Sequence, residues 1–337
     1  MKLSVVLFNL GGPDSPQAVK PFLFNLFNDP AIIGLPRPLR WLVAKLISTR
    51  RAPVAREIYD HIGGASPLLD WTEQQAKALK DSLSEFDEVQ VEIAMRYWHP
   101  RASETVERVK AFGPDRVVLL PLYPQFSTTT TGSSLKEWAE QAERAGLTAP
   151  TMTVCCYPDN EGFVEASRDL IEQALADAEG IGLRLLFSAH GLPKKVIDGG
   201  DPYQRQVERS VAAVVKALDR PGLDYLTCYQ SRVGPLEWIG PSTEEALDQA
   251  AQDGKSVMVI PIAFVSEHSE TLVELDIEYA NLAKELGILE YHRVPTVRVH
   301  PAFIDGLAGL VRLAVNTPIE FNCAEPEGCP VEEARNG

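Results

Sequence analysis

The residues best suited to proton and metal chemistry gather in two short stretches. In the first, Ser188-Ala189-His190-Gly191-Leu192-Pro193, an imidazole stands where an apolar, strand-like run gives way to Gly and Pro. A histidine at a strand tip can accept a proton near neutral pH or bind a metal through a ring nitrogen. Gly191 beside it leaves room for a ligand to approach the backbone. The competing reading is a turn histidine with a satisfied hydrogen bond. The second stretch is Glu267-His268-Ser269-Glu270-Thr271-Leu272-Val273-Glu274-Leu275-Asp276-Ile277-Glu278, which follows another apolar run and opens a helical pattern. Glu270, Glu274 and Glu278 are spaced i, i+4, i+8, so an α-helix would line them along one face. Like charges so placed repel by roughly 0.2–0.5 kcal/mol per pair on an exposed helix. A solvated acidic face tolerates that cost, and a path for divalent cations or protons would use it.

Other run ends carry different chemistry. Pro121-Leu122-Tyr123-Pro124-Gln125-Phe126-Ser127-Thr128-Thr129-Thr130-Thr131-Gly132-Ser133-Ser134 offers hydroxyls and backbone N–H groups at a helix start, suited to an anion or to plain N-capping. Aromatic rings stand beside arginine in Arg96-Tyr97-Trp98-His99-Pro100 and in Tyr229-Gln230-Ser231-Arg232-Val233-Gly234-Pro235-Leu236-Glu237-Trp238. Such pairs suit a flat, carboxylated ring system, or simply core packing. Asn9-Leu10-Gly11-Gly12-Pro13 lacks the glycine spacing of a dinucleotide fingerprint or a P-loop.

The elements that must position these residues alternate. Strand-like runs cover 3–8, 89–95, 116–122, 152–156, 183–188, 225–228 and 256–262. Amphipathic helical patterns cover 72–84, 103–112, 132–145, 162–178, 202–218, 243–253 and 270–286. Alternation of this kind predicts an α/β fold with parallel sheets flanked by helices, and function beyond the carboxyl ends of the strands. The run Val117–Pro124 resembles Val257–Phe264, and each passes through polar residues to a helix start, which points to two related halves. The expected division is an N-terminal half over 1–155, a C-terminal half over 156–315 and a polar tail over 316–337.

An insertion at about 29–67 interrupts the first half. From Ala31 to Arg56 it holds six basic residues and no acidic one, with Trp41, Leu42 and Leu46 among them. A basic amphipathic segment of this type is either a membrane-surface or ligand-covering element, or a helix whose apolar face is core. The chain as a whole carries a net charge of -15, which argues against a nucleic-acid partner. No run reaches membrane-spanning length and no signal peptide opens the chain, so the expected location is the cytoplasm, with at most peripheral attachment at the inner membrane. The five cysteines, an odd and sparse set, do not make a disulfide framework.

Taken in order, these segments resemble the ferrochelatase family. The resemblance runs from residue 3 to about residue 315 and rests on Asn9-Leu10-Gly11-Gly12-Pro13, Ile62-Gly63-Gly64-Ala65-Ser66-Pro67, Arg96-Tyr97-Trp98-His99-Pro100, Tyr123-Pro124-Gln125-Phe126-Ser127 with Thr130-Thr131-Gly132-Ser133-Ser134, Ser188-Ala189-His190-Gly191-Leu192-Pro193, Tyr229-Gln230-Ser231-Arg232-Val233-Gly234-Pro235, and Pro261-Ile262-Ala263-Phe264 through Glu274-Leu275-Asp276-Ile277-Glu278-Tyr279. It implies two similar Rossmann-like halves facing across a porphyrin cleft. The implied activity is that of a lyase inserting Fe²⁺, as substrate, into protoporphyrin IX with loss of two protons. The product is protoheme, the last step of heme biosynthesis.

The resemblance further implies that His190 and Glu270 hold the metal and help remove the pyrrole protons, with Glu274 and Glu278 continuing the acidic line. Arg96, Tyr97, Tyr123, Trp238 and Phe264 would line or close on the macrocycle. The segment 35–47 matches the family's hydrophobic lip, a route for an apolar porphyrin from a membrane surface. Some family members bind a [2Fe–2S] cluster through four cysteines. Here the loop after Tyr123-Pro124-Gln125 has none, and a set of four would need Cys155, Cys156, Cys323 and Cys329, with Cys155 and Cys156 expected on opposite faces of a strand. Coproporphyrin as substrate, insertion of cobalt or nickel into another tetrapyrrole, and a non-catalytic porphyrin or heme carrier are the alternatives.

Overall fold

A computed structural model describes residues 1–178, 182–232 and 234–316, and the backbone of 321–322. The chain divides into two compact units, one comprising Met1–Cys156 and the chain from Leu307, the other Tyr157–Gly306. In chain order the elements to residue 154 are β1 (Lys2–Asn9), α1 (Val19–Phe27), α2 (Arg37–Asp60), α3 (Leu68–Asp81), β2 (Glu88–Met95), α4 (Ala102–Phe112), β3 (Arg116–Pro121), the π-helix π1 (Thr128–Gly132), α5 (Ser133–Ala145) and β4 (Thr151–Val154). They continue as α6 (Glu161–Asp177), β5 (Leu183–His190), α7 (Lys194–Asp198), α8 (Tyr203–Leu218), β6 (Tyr225–Gln230), α9 (Thr243–Gln252), β7 (Ser256–Pro261), the π-helix π2 (Glu270–Tyr279), α10 (Ala280–Glu285), β8 (Tyr291–Arg293), α11 (Pro301–Asn316) and β9 (Phe321–Asn322).

In the first unit the strand order is β2-β1-β3-β4-β9, with every pair parallel. Residues 3 and 5–8 of β1 are apolar and almost fully buried, as a central strand covered on both faces requires. Val6 and Phe8 pack with Val106, Val109 and Trp138 on one face. The insertion is a helix of 24 residues, longer than the expected 35–47 segment, entered through Pro36 and Pro38 and carrying Pro53 inside it. Its buried face is Ala44, Ser48, Ala52 and Tyr59, and Ala52 and Tyr59 join Val19, Phe22 and Leu23 of α1. Leu39, Trp41, Leu42 and Leu46 are exposed. Of the two readings of this segment, apolar core is thus excluded for those four residues.

In the second unit the order is β6-β5-β7-β8, again all parallel. It repeats the first four strands of the other sheet. The register agrees as well: Phe8 pairs with Pro121, Ser188 pairs with Pro261, and the N–H of the residue after each proline donates to the carbonyl of that partner. The core of this unit packs Leu186, Val257 and Val259 against Leu247, Leu275 and Tyr279. Two expected α-helices differ in their first turns. The segment 270–286 is π-helical to Tyr279 before α10, and α5 is preceded by the π-helical turn 128–132. β8, only three residues long, had no counterpart among the expected strands.

Candidate functional site

His190 is the last residue of β5, paired with Gln230 at the tip of β6. Across from it, the first residue of π2 is Glu270. The His190 Nδ1 and Glu270 Oε2 atoms are 3.0 Å apart, a hydrogen bond between residues brought together from two different strand ends. His268, between Glu267 and Glu270 in the sequence, places Nε2 3.7 Å from the same carboxylate oxygen. It is buried, with Nδ1 held 3.1 Å from the Ser266 carbonyl and its ring tilted against Phe264 at 4.7 Å. The sequence offered a signal for His268, its place inside the acidic stretch, but not one that separated it from a core histidine.

Charge binds the pair. Desolvation pulls the imidazolium pKa down, but the Glu270 charge, its hydrogen bond and the more distant Glu274 outweigh this, and His190 titrates above its ordinary value. For Glu270, desolvation pushes the other way from the His190 charge and hydrogen bond and from His268; the histidines win, and the carboxyl is held well below the usual carboxylate range. Each group thus favours the charged form of the other.

Glu274 is turned differently. Its carboxylate accepts from the Ser231 N–H at 2.7 Å, the Ser231 hydroxyl at 2.5 Å, Gln230 Nε2 at 3.0 Å and the Tyr279 hydroxyl at 3.0 Å. Burial and the neighbouring Glu270 charge nevertheless raise its pKa. Glu278 is exposed. A π-helix needs more residues per turn than an α-helix, so positions four apart no longer stack. This is why Glu270 meets His190, Glu274 meets β6 and Glu278 meets solvent, where α-helical spacing predicted one line. Among the described residues, no three His, Cys, Asp or Glu side chains form a group that would hold a metal ion by themselves.

Trp238 and Phe264 are both half-buried in this unit. The segment carrying Trp238 is stitched to the one following His190: Lys194 N–H donates to the Glu237 carbonyl, and Ile239 N–H to that of Leu192. A Cβ on Gly191 would lie 2.9 Å from the Gln230 carbonyl oxygen and 3.4 Å from the Trp238 ring. The close approach that Gly191 permits is thus made by the protein's own β6 and Trp238, where a ligand was expected.

In the other unit, Arg96 lies just past β2 and each of its guanidinium nitrogens has a partner. Nε donates to Ser133 at 2.7 Å, Nη1 to Glu137 at 3.1 Å, and Nη2 approaches Asp29 to 2.7 Å. Asp29 also accepts from the Tyr97 hydroxyl at 2.8 Å and from Ser133 at 2.6 Å. Tyr97 is 1% exposed. Tyr123 is half-buried, and desolvation raises its pKa. Cys155 and Cys156 lie beyond the end of β4, buried with Phe126, so the opposite-face rule for a strand does not apply to them. Their sulfurs are 3.6 Å apart, too far for a disulfide. Cys323 and Cys329, with the rest of the tail, lie outside the described residues.

Two parallel α/β sheets share the order of four strands, and the second carries a histidine–glutamate pair at its carboxyl edge. The fold is shared with SirB from Bacillus subtilis, solved with Fe³⁺, at a TM-score of 0.56 and 13% identity over 99% of this chain and 98% of that one. A sirohydrochlorin chelatase SirB from the subspecies spizizenii, solved with cobalt, gives 0.53 and 13% over 94% and 97%. The family model Ferrochelatase matches residues 2–315. A ferrochelatase of Caulobacter vibrioides is 56% identical over 93% of this chain and 90% of its own length, and one of a Wolbachia strain from Drosophila simulans is 53% identical over 94% and 100%. The chain belongs to the ferrochelatase family. Its activity is that of a lyase of heme synthesis, with Fe²⁺ and a porphyrin as substrates.

Proposed function

We propose that the chain inserts Fe²⁺ into protoporphyrin IX to give protoheme and two protons, with His190 and Glu270 meeting the metal. The observation that carries this reading is the 3.0 Å contact between His190 Nδ1 at the tip of β5 and Glu270 Oε2 at the start of π2. An imidazole nitrogen and a carboxylate oxygen are both suitable donors to Fe²⁺. As each pyrrole N–H bond breaks, its electron pair stays on nitrogen and becomes a bond to iron, while the proton leaves. Glu270 strengthens the hold of His190 on a proton, against the pull of desolvation. Arrival of Fe²⁺ at Glu270 would weaken the carboxylate's hold on that proton, which would pass to Glu274 or to solvent and leave a neutral imidazole able to accept a pyrrole proton. Glu274, whose pKa is raised, is the next carboxylate along π2 and would take up protons or guide the cation; Glu278 would meet the cation at the solvent side.

Ring contacts are assigned to Tyr123, Trp238 and Phe264. Arg96 and Tyr97 contribute through the Asp29 network, since their polar groups are already engaged. The exposed stripe Leu39, Leu42 and Leu46 with Trp41, and Lys45 lying 4.8 Å over the Trp41 ring, supports a lip that meets a membrane surface and favours the apolar protoporphyrin. No described helix is long and apolar enough to cross a membrane. A [2Fe–2S] cluster would draw on Cys155, Cys156, Cys323 and Cys329, and the absorbance spectrum of anaerobically purified protein decides it.

The substrate reading is tested by anaerobic Fe²⁺ insertion with protoporphyrin and coproporphyrin side by side. The expected result is a higher kcat/KM for protoporphyrin. A preference for coproporphyrin would reassign the substrate while leaving the metal site in place.

A further inference from the structure

A π-helix of ten residues is an uncommon conformation, and such backbones persist only where their surroundings fix them. One set of contacts fixing π2 comes from the tip of β6, where Gln230 Nε2 donates to the Glu270 carbonyl at 2.8 Å and Ser231 holds Glu274; the other comes from β8 and the residues just after it. Arg293 forms a bidentate pair with Asp276, Nε to Oδ1 at 2.6 Å and Nη2 to Oδ2 at 2.5 Å. Its third nitrogen, Nη1, donates to Glu267 Oε1 at 2.8 Å. The same Glu267 oxygen accepts from the Thr296 N–H at 2.9 Å, and the Tyr291 hydroxyl donates to the Leu275 carbonyl at 2.6 Å. Arg293 is itself anchored by β8, where it pairs with Val259 of the central region of the sheet. Glu267 precedes π2 and Asp276 lies in its second half, so one guanidinium grips the chain on both sides of Glu270 and Glu274.

The arginine fork suits this task. It is planar, always charged and sets two acceptors at fixed angles, so it defines distance and orientation, where a lysine ammonium defines only proximity. The Arg293 side chain is 12% exposed and Glu267 6%, which shields that pairing from solvent, while Asp276 is 32% exposed. Relaxation of π2 toward an α-helical register would rotate Glu270 and Glu274 about the axis relative to the sheet, and displacements of that kind are what the Arg293 grip opposes.

We propose that Arg293 is a positioning residue for iron insertion, holding Glu267 and Asp276 so that π2 keeps the register that aims Glu270 at His190. The inference rests on the reading of His190 and Glu270 as the iron site. It is tested by measuring the separate dependence on Fe²⁺ and on porphyrin in Arg293→Met, Arg293→Lys and Asp276→Asn, with His190→Ala in parallel.

The expected result for Arg293→Met is a fall in kcat of about tenfold or more with a raised KM for Fe²⁺ and a porphyrin KM within about twofold of the parent, since small misplacements of reacting groups cost up to ~10²-fold. Arg293→Lys should recover part of the loss. Arg293→Met with iron parameters within about twofold of the parent would overturn the proposal, as would equal damage to both KM values, which marks general disruption. Should Arg293→Met fail to fold, Asp276→Asn, which leaves the Glu267 pairing, carries the same test with the same expected split. If His190→Ala inserts iron normally the site reading fails; if it is inactive while the folded Arg293 and Asp276 variants are normal, only the positioning role fails.

Discussion

His190 and Glu270 each titrate away from their ordinary values, and in opposite directions. The ordinary values are 6.5 for the histidine and 4.5 for the glutamate. His190, raised on folding, contributes stability that is fully present below 6.5 and is lost as pH rises through its folded value. Glu270, lowered on folding, contributes stability that is present above 4.5 and is lost as pH falls through its folded value. The stability difference between the parent and Glu270→Gln should therefore be widest between these two values and narrow on either side, as read by thermal unfolding across that range. The same substitution removes the largest charge holding the imidazole proton, so any residual activity of Glu270→Gln should show its acidic limb at lower pH than the parent. An unmoved limb would separate the activity from His190. At this scale the sequence was informative about residue types: a strand-tip histidine and an acidic helix start were visible. The partners of Glu274, namely Ser231, Gln230 and Tyr279, were not, because they come from a strand end and a helix turn whose convergence no local pattern reports.

Among the elements, the strands of both sheets were legible because buried parallel strands read as continuous apolar runs. β8 and β9 were not, being three and two residues long, too short for any periodicity. The π-helices were hidden for a different reason. Local sequence does not distinguish an α from a π register, and in π2 the choice is made by outside contacts such as the Arg293 fork. For α2, the sequence left core and surface readings open, and burial separates them: Ala44, Ser48, Ala52 and Tyr59 face inward, and Leu39, Trp41, Leu42 and Leu46 face out. Ala44→Leu or Ala52→Leu should destabilise the protein by about 1–3 kcal/mol through overpacking, read by denaturant unfolding. Trp41→Ser and Leu42→Ser should change stability by less than about 0.5 kcal/mol. In vesicle co-sedimentation with anionic lipid, the same two variants should bind less than the parent; equal binding would remove the membrane role of the lip.

The molecule contains two copies of one four-strand plan, an echo that the matched strand ends already suggested. Only the register shows how the copies differ in chemistry. With Phe8 matched to Ser188, Leu10 falls where His190 stands, and counting from the matched prolines Thr130 falls where Glu270 stands. One unit therefore carries the histidine–glutamate pair, while the other, with the long α2 insertion, has Leu10 and Thr130 at those positions. The return of the chain after α11 to pair β9 with β4 in the first unit had no sequence signal. The proposed chemistry depends on the His190–Glu270 pair at the edge of the second sheet. The most direct test is the anaerobic rate of Fe²⁺ insertion into protoporphyrin by His190→Ala beside the parent, with circular dichroism confirming the fold of both. Heme formation by the parent and none above background by the variant is the predicted result. Turnover at the parental rate by a folded His190→Ala would contradict it.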